Sequence, residues 1–474
     1  MLRRFDGESG GRRDGETRRR GDAETDFAVS PHHPVAASPH RPVAASHHLA
    51  DLQKAALEWD ALLRDRMLPY WCTTVNSRGG YQVYDPGDRS WRAQIKSMIK
   101  GGNSRTQNES MRGLISQARL LWVFSHAHLL GYSTSQQDYL EAAAHGYSYL
   151  IETMLDRQYG GFYWKTDVHR GVIEPLKILY GQSMAIYGLV EYHRASGVSD
   201  PLDHACAIYE TVQQRLHDQT HGGWFEHSER DFTVLTSTGN RLPGVPDVIG
   251  FKSGDAHLHW MEALTELYSE VKDASVRESL LEAIELLCTK FYPLNVSESF
   301  EYFLPDWKAP SNDELSGVSH GHMIEFGWLM LHAQQALGMP RHWDHFESLL
   351  RHSLQYGFDH DRGGFYSRGK PHEPACDTTK FWWVQAEGLS ALTDAVAHFD
   401  SDEYKMPLTQ LVNWILNYQI RSEDGVWIVS TDAEARPQNV RKAGEWKAAY
   451  HEVRAITKFV EAFAQQSQYD RCQQ

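Results

Sequence analysis

The chain has 474 residues, of which 41% are hydrophobic, and a formal net charge of −15. An acidic chain of ordinary hydrophobicity is a poor candidate for binding nucleic acid or an anionic membrane surface, because both favour clusters of Lys and Arg. Five scattered cysteines fit neither a disulfide framework nor a zinc site, so we expect a reducing, cytoplasmic location. No apolar run is long enough to span a bilayer, and the N-terminus lacks the apolar stretch of a signal peptide.

The first 48 residues differ in composition from the rest of the chain. Charged residues and Gly alternate up to Asp26, and PVAASPHR at 34–41 is partly repeated as PVAASHH at 42–48. Almost nothing in this stretch could be buried, which predicts a disordered, low-complexity tail or an upstream-extended start codon. We therefore expect one domain over 49–474.

From Leu49 onward, apolar residues recur three and four positions apart, which predicts amphipathic helices. Gly197 and Gly338 stand where two of these helices would end, at positions that favour a residue tolerant of positive φ. The six clearest segments are LISQARLLWVFSHAHLLGY, GQSMAIYGLVEYHRASG, AHLHWMEALTELYSEV, GHMIEFGWLMLHAQQALG, FWWVQAEGLSALTDAVAHF and WKAAYHEVRAITKFVEAFA.

A second pattern recurs between the helices: a glycine turn, then an aromatic residue, then a few alternating residues. It occurs at 78–85, 159–167, 221–231, 362–369 and 424–432. Pairs of helices joined by β-like loops at such intervals indicate an array closed on itself. We therefore predict an all-α fold, an α/α toroid of about six hairpins with short β-like loops. An open solenoid would not explain the many polar and aromatic residues at helix starts.

Two histidine-containing segments suggest a site. In KSGDAHLHWMEALTELY, helical spacing places Asp255, His259 and Glu262 on one face and directs His257 elsewhere. In SHGHMIEFGWLML, His322 falls in the first helical turn, where the helix N-terminus disfavours an imidazolium. This predicts a neutral His322 able to accept a proton, with Glu325 one turn on either orienting its ring or restoring its basicity. A hydrogen-bonded core histidine and a helix-capping pair are the alternative interpretations.

Three further helix starts each combine an aromatic residue with a charged residue or a histidine. A buried Arg among them would need a partner or a ligand oxyanion. The high content of Trp and Tyr suits either sugar rings or a large core. These residues are Trp446, Lys447, His451 and Arg454 in GEWKAAYHEVRA, Trp383 and Glu387 in WWVQAE, and Arg119 and Trp122 in ARLLW.

Together these segments resemble the N-acylglucosamine 2-epimerase superfamily, and most closely its cellobiose or mannose 2-epimerase branch. The similarity covers residues 50–465, and its most specific parts are HLHWMEA, GHMIE, WWVQAE and WKAAYH in this order. The resemblance implies an (α/α)6 barrel with the site in a funnel at one end.

The resemblance also implies roles for individual residues. His322 and His451 correspond to the catalytic pair, His259 to the third histidine and Glu325 to the acidic partner. The substrate-binding side chains would be Arg119, Tyr180, Asp255, Trp383, Glu387 and Trp446.

This chain departs from the cellobiose-epimerase pattern at two positions. Asp255 stands where that branch usually has Asn, and Met323 stands where it tends to have an acid. Both differences bear on which sugar is held more than on whether the chemistry runs.

The expected reaction inverts carbon 2 of a free reducing aldose through a cis-enediolate. The adjacent carbonyl acidifies the proton on carbon 2, so we expect neither metal nor cofactor. An aldose–ketose isomerase is the alternative, followed by a glycoside hydrolase or lyase that uses Glu325 and Glu387, or a non-catalytic sugar-binding protein. The only expected partner is a sugar, with the chain a monomer or homodimer.

Overall fold

The helices follow the apolar periodicity of the sequence. The computed structural model describes residues 43–83, 110–236, 248–296, 299–311, 317–420 and 423–472. The described body is the unit Ala45–Gln474. Of the predicted tail, residues 1–42 lie outside the described residues and disorder there stays a prediction, whereas the first helix already includes residues 43–48.

Within these ranges, six helices form an inner ring. Each inner helix packs against the next along the chain, and the last packs against the first, which closes the ring. Its members are α3 (Leu114–Leu129), α5 (Leu179–Ser196), α7 (Gly254–Val271), α9 (His320–Ala336), α11 (Trp382–Phe399) and α13 (Tyr450–Cys472).

An outer layer of helices alternates with the inner ring along the chain. Several outer helices end in a short π-helical turn, namely Leu63–Met67, Leu150–Met154, Leu287–Phe291 and Ile415–Gln419. The outer helices are α1 (Val43–Leu62) with α2 (Leu68–Cys72), α4 (Tyr139–Tyr149), α6 (Asp200–Arg215), α8 (Ala274–Leu286), α10 (Trp343–Gly357) and α12 (Asp402–Trp414). The architecture is the predicted (α/α)6 barrel.

Short antiparallel strands lie at the end of the barrel where the inner helices begin. Several inner helices follow directly on a strand, so the strand ladder marks one rim. The sheets pair β1 (Met111–Gly113), β2 (Lys165–Asp167) and β3 (Gly171–Glu174); β4 (Lys177–Ile178) and β5 (His227–Ser228); β6 (Lys252–Ser253) and β7 (Tyr302–Phe303); β8 (Val318–Ser319) and β9 (Arg368–Gly369); and β10 (Lys380–Phe381), β11 (Ser430–Thr431) and β12 (Pro437–Asn439).

The repeated glycine turns are attached to this rim by buried ion pairs. At three of these turns, an Asp side chain accepts hydrogen bonds from backbone N–H groups of the same turn. The same Asp forms an ion pair with a fully buried Lys, which stands two residues before the next inner helix. Each Lys thus joins a turn to a helix start. The pairs are Lys177–Asp156 at 3.3 Å, Lys252–Asp218 at 2.8 Å and Lys380–Asp359 at 2.7 Å.

The inner helices are buried on nearly all sides, and at one point the backbones of two of them approach closely. A Cβ at Gly188 of α5 would lie 2.7 Å from the carbonyl oxygen of Ala118 on α3. Because the obstructing atom is backbone, the two helices would have to separate. No helix in the described part of the chain is both long and apolar enough to cross a membrane.

Gly188→Ala is expected to destabilise the protein by up to about 2 kcal/mol. Overpacking costs about 1–3 kcal/mol, from which the gain of about 1 kcal/mol that Ala brings to a helix is subtracted. The midpoint of urea unfolding, followed by far-UV circular dichroism, measures this. Gly444→Ala is the control, because a Cβ at Gly444 meets nothing within 4 Å. A midpoint for Gly188→Ala at or above that of the wild type would contradict the close packing.

Candidate active site

The candidate site lies at the rim where the inner helices begin. Its polar side chains come from the first turns of these helices, and each inner helix contributes at least one. The structure brings together every residue that the sequence predicted for the site: Arg119 on α3, Tyr180 on α5, Asp255 and His259 on α7, His322 and Glu325 on α9, Trp383 and Glu387 on α11, His451 on α13, and Trp446 just before α13.

His451 is arranged as a neutral base. Its Nδ1 lies 2.6 Å from Oε1 of Glu387, which fixes the ring and leaves Nε2 as the acceptor. The guanidinium of Arg119 lies 3.2 Å from that Nε2. Burial lowers the pKa of His451 to about 3, since the favourable bond to Glu387 is opposed by the charges of Arg119 and Arg454. Its Nε2 is therefore unprotonated at neutral pH and able to accept a proton.

His322 has the opposite protonation state. Its Nδ1 lies 2.9 Å from Oε2 of Glu301, and its Nε2 lies 3.5 Å from Oδ1 of Asp255. Burial alone lowers the pKa of an imidazole, but these two carboxylates outweigh it and raise the pKa of His322 to about 9. The prediction of a neutral His322 is therefore wrong, because the carboxylates outweigh the helix N-terminus. Glu301, not Glu325, holds the ring, whereas the charge of Glu325 adds to the raised pKa of His322, which is the second of its two predicted roles.

His259 is a second imidazolium. Its Nδ1 lies 2.8 Å from Oε2 of Glu262 and its Nε2 lies 3.3 Å from Oδ1 of Asp255. Burial is again outweighed by carboxylates, and the pKa of His259 is raised to about 10. His257, predicted to point elsewhere, lies in the core, where its Nε2 accepts the backbone N–H of Trp224. The predicted shared face of Asp255, His259 and Glu262 is confirmed.

Arg454 lies at the centre of the buried carboxylates beneath these histidines. Its guanidinium donates to Glu262, to Oε1 of Glu325 at 2.9 Å and to Oε1 of Glu387 at 2.8 Å. Glu387 keeps a pKa lowered to about 2, because Arg454 and His451 outweigh its burial. Burial and the neighbouring charge of Glu387 instead raise the pKa of Glu325 to about 7. The guanidinium of Arg454 thus links Glu262, which binds His259, to Glu387, which binds His451.

Among the described residues, one group of three side chains has the spacing of a metal site: Glu325, Glu387 and His451. Arg454 donates to both of these carboxylates, so a cation already occupies the neighbourhood of their oxygens. A further positive ion there would compete directly with the guanidinium.

Aromatic rings form the walls of the site. The ring of Trp383 lies 4.9 Å from that of His322 and 6.2 Å from that of His451, centroid to centroid, so it lies beside both histidines. Tyr180 packs edge-on against His259 at 4.6 Å and against Trp446 at 5.7 Å. Trp383 and Trp446 are only partly buried, which leaves ring surface available to a ligand.

Arg119 connects these walls to the base. It donates to the hydroxyl of Tyr180 at 2.6 Å and to the backbone carbonyl of Trp446. Among the described residues, Arg119 forms no ion pair with a carboxylate, whereas His259 and His322 each pair with two. Its charge is therefore available to an oxyanion that develops beside Nε2 of His451.

A model of the N-acylglucosamine 2-epimerase (GlcNAc 2-epimerase) family matches residues 101–455. The chain belongs to the N-acylglucosamine 2-epimerase family. The relatives described next include a cellobiose 2-epimerase and a D-mannose isomerase, and they identify the chain as an isomerase-class enzyme, a sugar 2-epimerase or isomerase. The predicted family is confirmed.

The relatives span nearly the whole chain. A cellobiose 2-epimerase of Bacteroides fragilis is 27% identical over 394 residues, which cover 82% of this chain and 94% of that protein. A D-mannose isomerase of Marinomonas mediterranea is 24% identical over 411 residues, covering 83% and 93%. The structure of cellobiose 2-epimerase from Spirochaeta thermophila superposes with a TM-score of 0.73 at 26% identity, covering 87% of this chain and 98% of that one.

The sequence did not indicate the carboxylate of Glu301 as part of the site, and it did not indicate the central position of Arg454. Glu301 lies outside the helices, just before β7, where no periodicity indicates which way a side chain points. The sequence marks Arg454 as one charged residue at a helix start and does not predict its contacts with three carboxylates. Its position three residues after His451, on the same face of a helix, was the available signal.

Proposed function

We propose that this enzyme inverts carbon 2 of a free reducing aldose. The observation that carries the proposal is the pair of histidines with opposite protonation states, His451 and His322, which come from two different inner helices and both lie beside Trp383. Inversion by proton transfer needs a base on one face of the sugar and an acid on the other.

The steps follow from the protonation states. Nε2 of His451 removes the proton from carbon 2 of the open-chain aldose, and the electron pair moves to the carbonyl oxygen to give a cis-enediolate. Arg119 stabilises the oxyanion, since both nitrogens of His259 are already bound to the carboxylates of Glu262 and Asp255. Nε2–H of His322 then gives its proton to carbon 2 from the opposite face. His451 ends the reaction protonated and His322 neutral.

An aldose–ketose isomerase is the second candidate, supported by the similarity to a D-mannose isomerase. In that reaction the proton taken by His451 returns to carbon 1 from the same face, so one base suffices. Cellobiose, mannose or glucose, and N-acylated hexosamines are the sugars to test, because the named relatives and the family act on such sugars.

A hydrolytic reaction is disfavoured by the geometry of its two candidate carboxylates. Glu325 and Glu387 both accept a hydrogen bond from the same Nη2 of Arg454, at 2.9 and 2.8 Å. Hydrolases place their carboxyl groups about 5–9.5 Å apart on either side of the scissile bond. Here the two carboxylates lie side by side beneath His451.

The deciding experiment is a panel of reducing sugars incubated with the enzyme in heavy water and followed by proton NMR. Loss of the signal of the proton on carbon 2, with a second aldose appearing, supports epimerisation. A ketose as the main product supports isomerisation instead. Absence of exchange across the whole panel would overturn the proposal and leave a sugar-binding role.

The pH dependence of kcat/KM follows from the same two residues. His322 acts as an acid, so activity should fall as pH rises through its pKa of about 9. His451 acts as a base whose pKa is about 3, so no acid limb from His451 is expected between pH 5 and 8. From these two histidines we expect no change in rate between about pH 5 and 8 and a decline above about 9. Glu325, whose pKa is raised to about 7, is a site carboxyl that titrates within that range, so an acid limb near pH 6.5 that persists in Glu325→Gln would contradict the assignment of His451 as a buried neutral base.

A further inference from the structure

Glu301 is a buried carboxylate that no sequence motif indicated. Its side chain is only 6% exposed. Oε2 lies 2.9 Å from Nδ1 of His322, and Oε1 accepts the backbone N–H of Ser319, the N-cap of α9, at 3.2 Å. Its own carbonyl oxygen accepts the N–H of Gly254, the first residue of α7, at 2.9 Å. Glu301 therefore ties the starts of α7 and α9 together and holds the ring of His322 between them.

The pair Glu301–His322 has the same geometry as the pair Glu387–His451, but a different charge environment. Glu387 is also bound by the guanidinium of Arg454, at 2.8 Å, and by Nε1 of Trp328, at 3.0 Å, so its charge is shared among three donors. Within the described residues, the ion pairs of Glu301 involve His322 alone. Among these residues no guanidinium competes with His322 for the carboxylate of Glu301, which favours a proton on both ring nitrogens of His322.

Other groups also face His322. From α7, Oδ1 of Asp255 lies 3.5 Å from its Nε2, and that oxygen is shared with the imidazolium of His259 at 3.3 Å. From its own helix comes the carboxyl of Glu325, and from α11 the uncharged ring of Trp383. Among the described residues the hydrogen-bond partner of Nδ1 is Glu301, which leaves Nε2 for the sugar, so Glu301 orients the ring from the side away from the proposed donor nitrogen.

We propose that Glu301 is the positioning residue for proton donation by His322, and that it determines that the enediolate is protonated at carbon 2 rather than at carbon 1. This inference rests on the proposed function. In the step itself, the Nε2–H bond of His322 breaks and a C–H bond forms at carbon 2. His322 is left neutral, still donating through Nδ1 to Glu301.

The consequence of losing this carboxylate follows from the two possible proton donors. Without Glu301, His322 is less often protonated and its ring is no longer oriented, so the enediolate survives longer. The remaining donor is protonated His451 on the original face. It returns its proton to carbon 2, which regenerates the starting sugar, or to carbon 1, which yields the ketose.

Glu301→Gln tests the proposal, because Gln keeps the shape and removes the charge. We expect kcat to fall about 10- to 100-fold, with KM within about twofold, since Glu301 does not touch the sugar. The alkaline limb of kcat/KM should move down by about 1–3 pH units, and the ratio of epimer to ketose should fall. Proton NMR of the reaction mixture measures kcat, KM and the ratio of epimer to ketose. The alkaline limb of kcat/KM is measured from initial rates over a range of pH.

Two further variants serve as controls. Glu282→Gln removes the carboxylate of a similar pair outside the site, in which Oε2 lies 2.9 Å from Nε2 of His217, and should leave the pH limb and the product ratio unchanged. Glu301→Asp keeps the charge and should retain the alkaline limb of the wild type even where its kcat is lower. An Asp variant that loses the limb as Gln does would overturn the role of the charge.

The titration of His322, observed by NMR of ¹⁵N-labelled imidazoles and assigned with His322→Gln, tests the inference without any sugar. Its apparent pKa should fall by about one unit or more in Glu301→Gln. An unchanged titration, or wild-type pH limb and product ratio in an active Glu301→Gln, would overturn the inference. If instead the wild type exchanges no sugar while this titration shifts as expected, the proposed function fails and the electrostatic coupling stands.

Discussion

His451→Ala should abolish both exchange at carbon 2 and epimer formation. The variant lacks the only unprotonated imidazole of the described site, and a positioned base contributes about 100- to 10,000-fold. His322 and His259 cannot replace it at neutral pH, because both are protonated, with pKa values of about 9 and about 10. Initial rates of epimer formation, and loss of the signal of the proton on carbon 2 in heavy water, measure the effect.

His322→Ala should retain exchange of the proton on carbon 2 but lose formation of the epimer. His451 is still present to remove the proton, which exchanges with solvent on its Nε2 and returns to the same face. We therefore expect deuterium to enter carbon 2 of the starting sugar while epimer formation falls about 100- to 10,000-fold. His332→Ala, on the same helix and 47% exposed, is the matched control. Near-wild-type epimer formation in either active-site variant would rule out the two-histidine mechanism.

Arg454→Met should cost about 3–5 kcal/mol of folding stability, as expected when one partner of a buried ion pair is removed. The guanidinium is the counter-ion that Glu262 and Glu387 share, and it also lies over the rings of Tyr450 and Trp328, at 4.4 and 4.7 Å. Met keeps much of the volume but leaves Glu387 without a cation and leaves Glu262 with the imidazolium of His259 as its remaining positive partner. The urea midpoint, followed by Trp fluorescence, reports the loss.

Arg436→Met is the matched control for Arg454→Met, because Arg436 pairs with Asp432 on the surface and is 72% exposed. It should leave the midpoint unchanged, since exposed ion pairs contribute little. Arg454→Lys should recover part of the stability and less of the activity, because an ammonium group cannot bind Glu262, Glu325 and Glu387 with the planar geometry of a guanidinium. Equal midpoints for Arg454→Met and Arg436→Met would show that the buried carboxylates need no counter-ion.

The fold could be predicted because its signals are local. Apolar periodicity marks each inner helix, and Gly197 closes α5 with a φ of 70°, as its position indicated. The contact between His259 and Glu262 was also predictable, since a helix fixes the distance between residues three apart.

The protonation state of His322 could not be predicted in this way. It depends on Asp255 and Glu301, which belong to a different helix and to a non-helical segment, and their distances to His322 arise only when the hairpins pack. Helical spacing instead favoured Glu325, whose carboxyl is taken up by Arg454 on α13. Local pattern thus identified the chemical groups of the site but not their pairing.

The closure of the ring between α13 and α3 has a consequence for synthesis of the protein. The last helix carries His451 and Arg454, so the proposed base and the cation that supports it are translated after every other part of the site. A nascent chain that still lacks this helix has an open barrel, with Glu387 lacking both His451 and Arg454. Sugar turnover therefore requires translation through Arg454, and a single proteolytic cut on the N-terminal side of His451 would silence the enzyme.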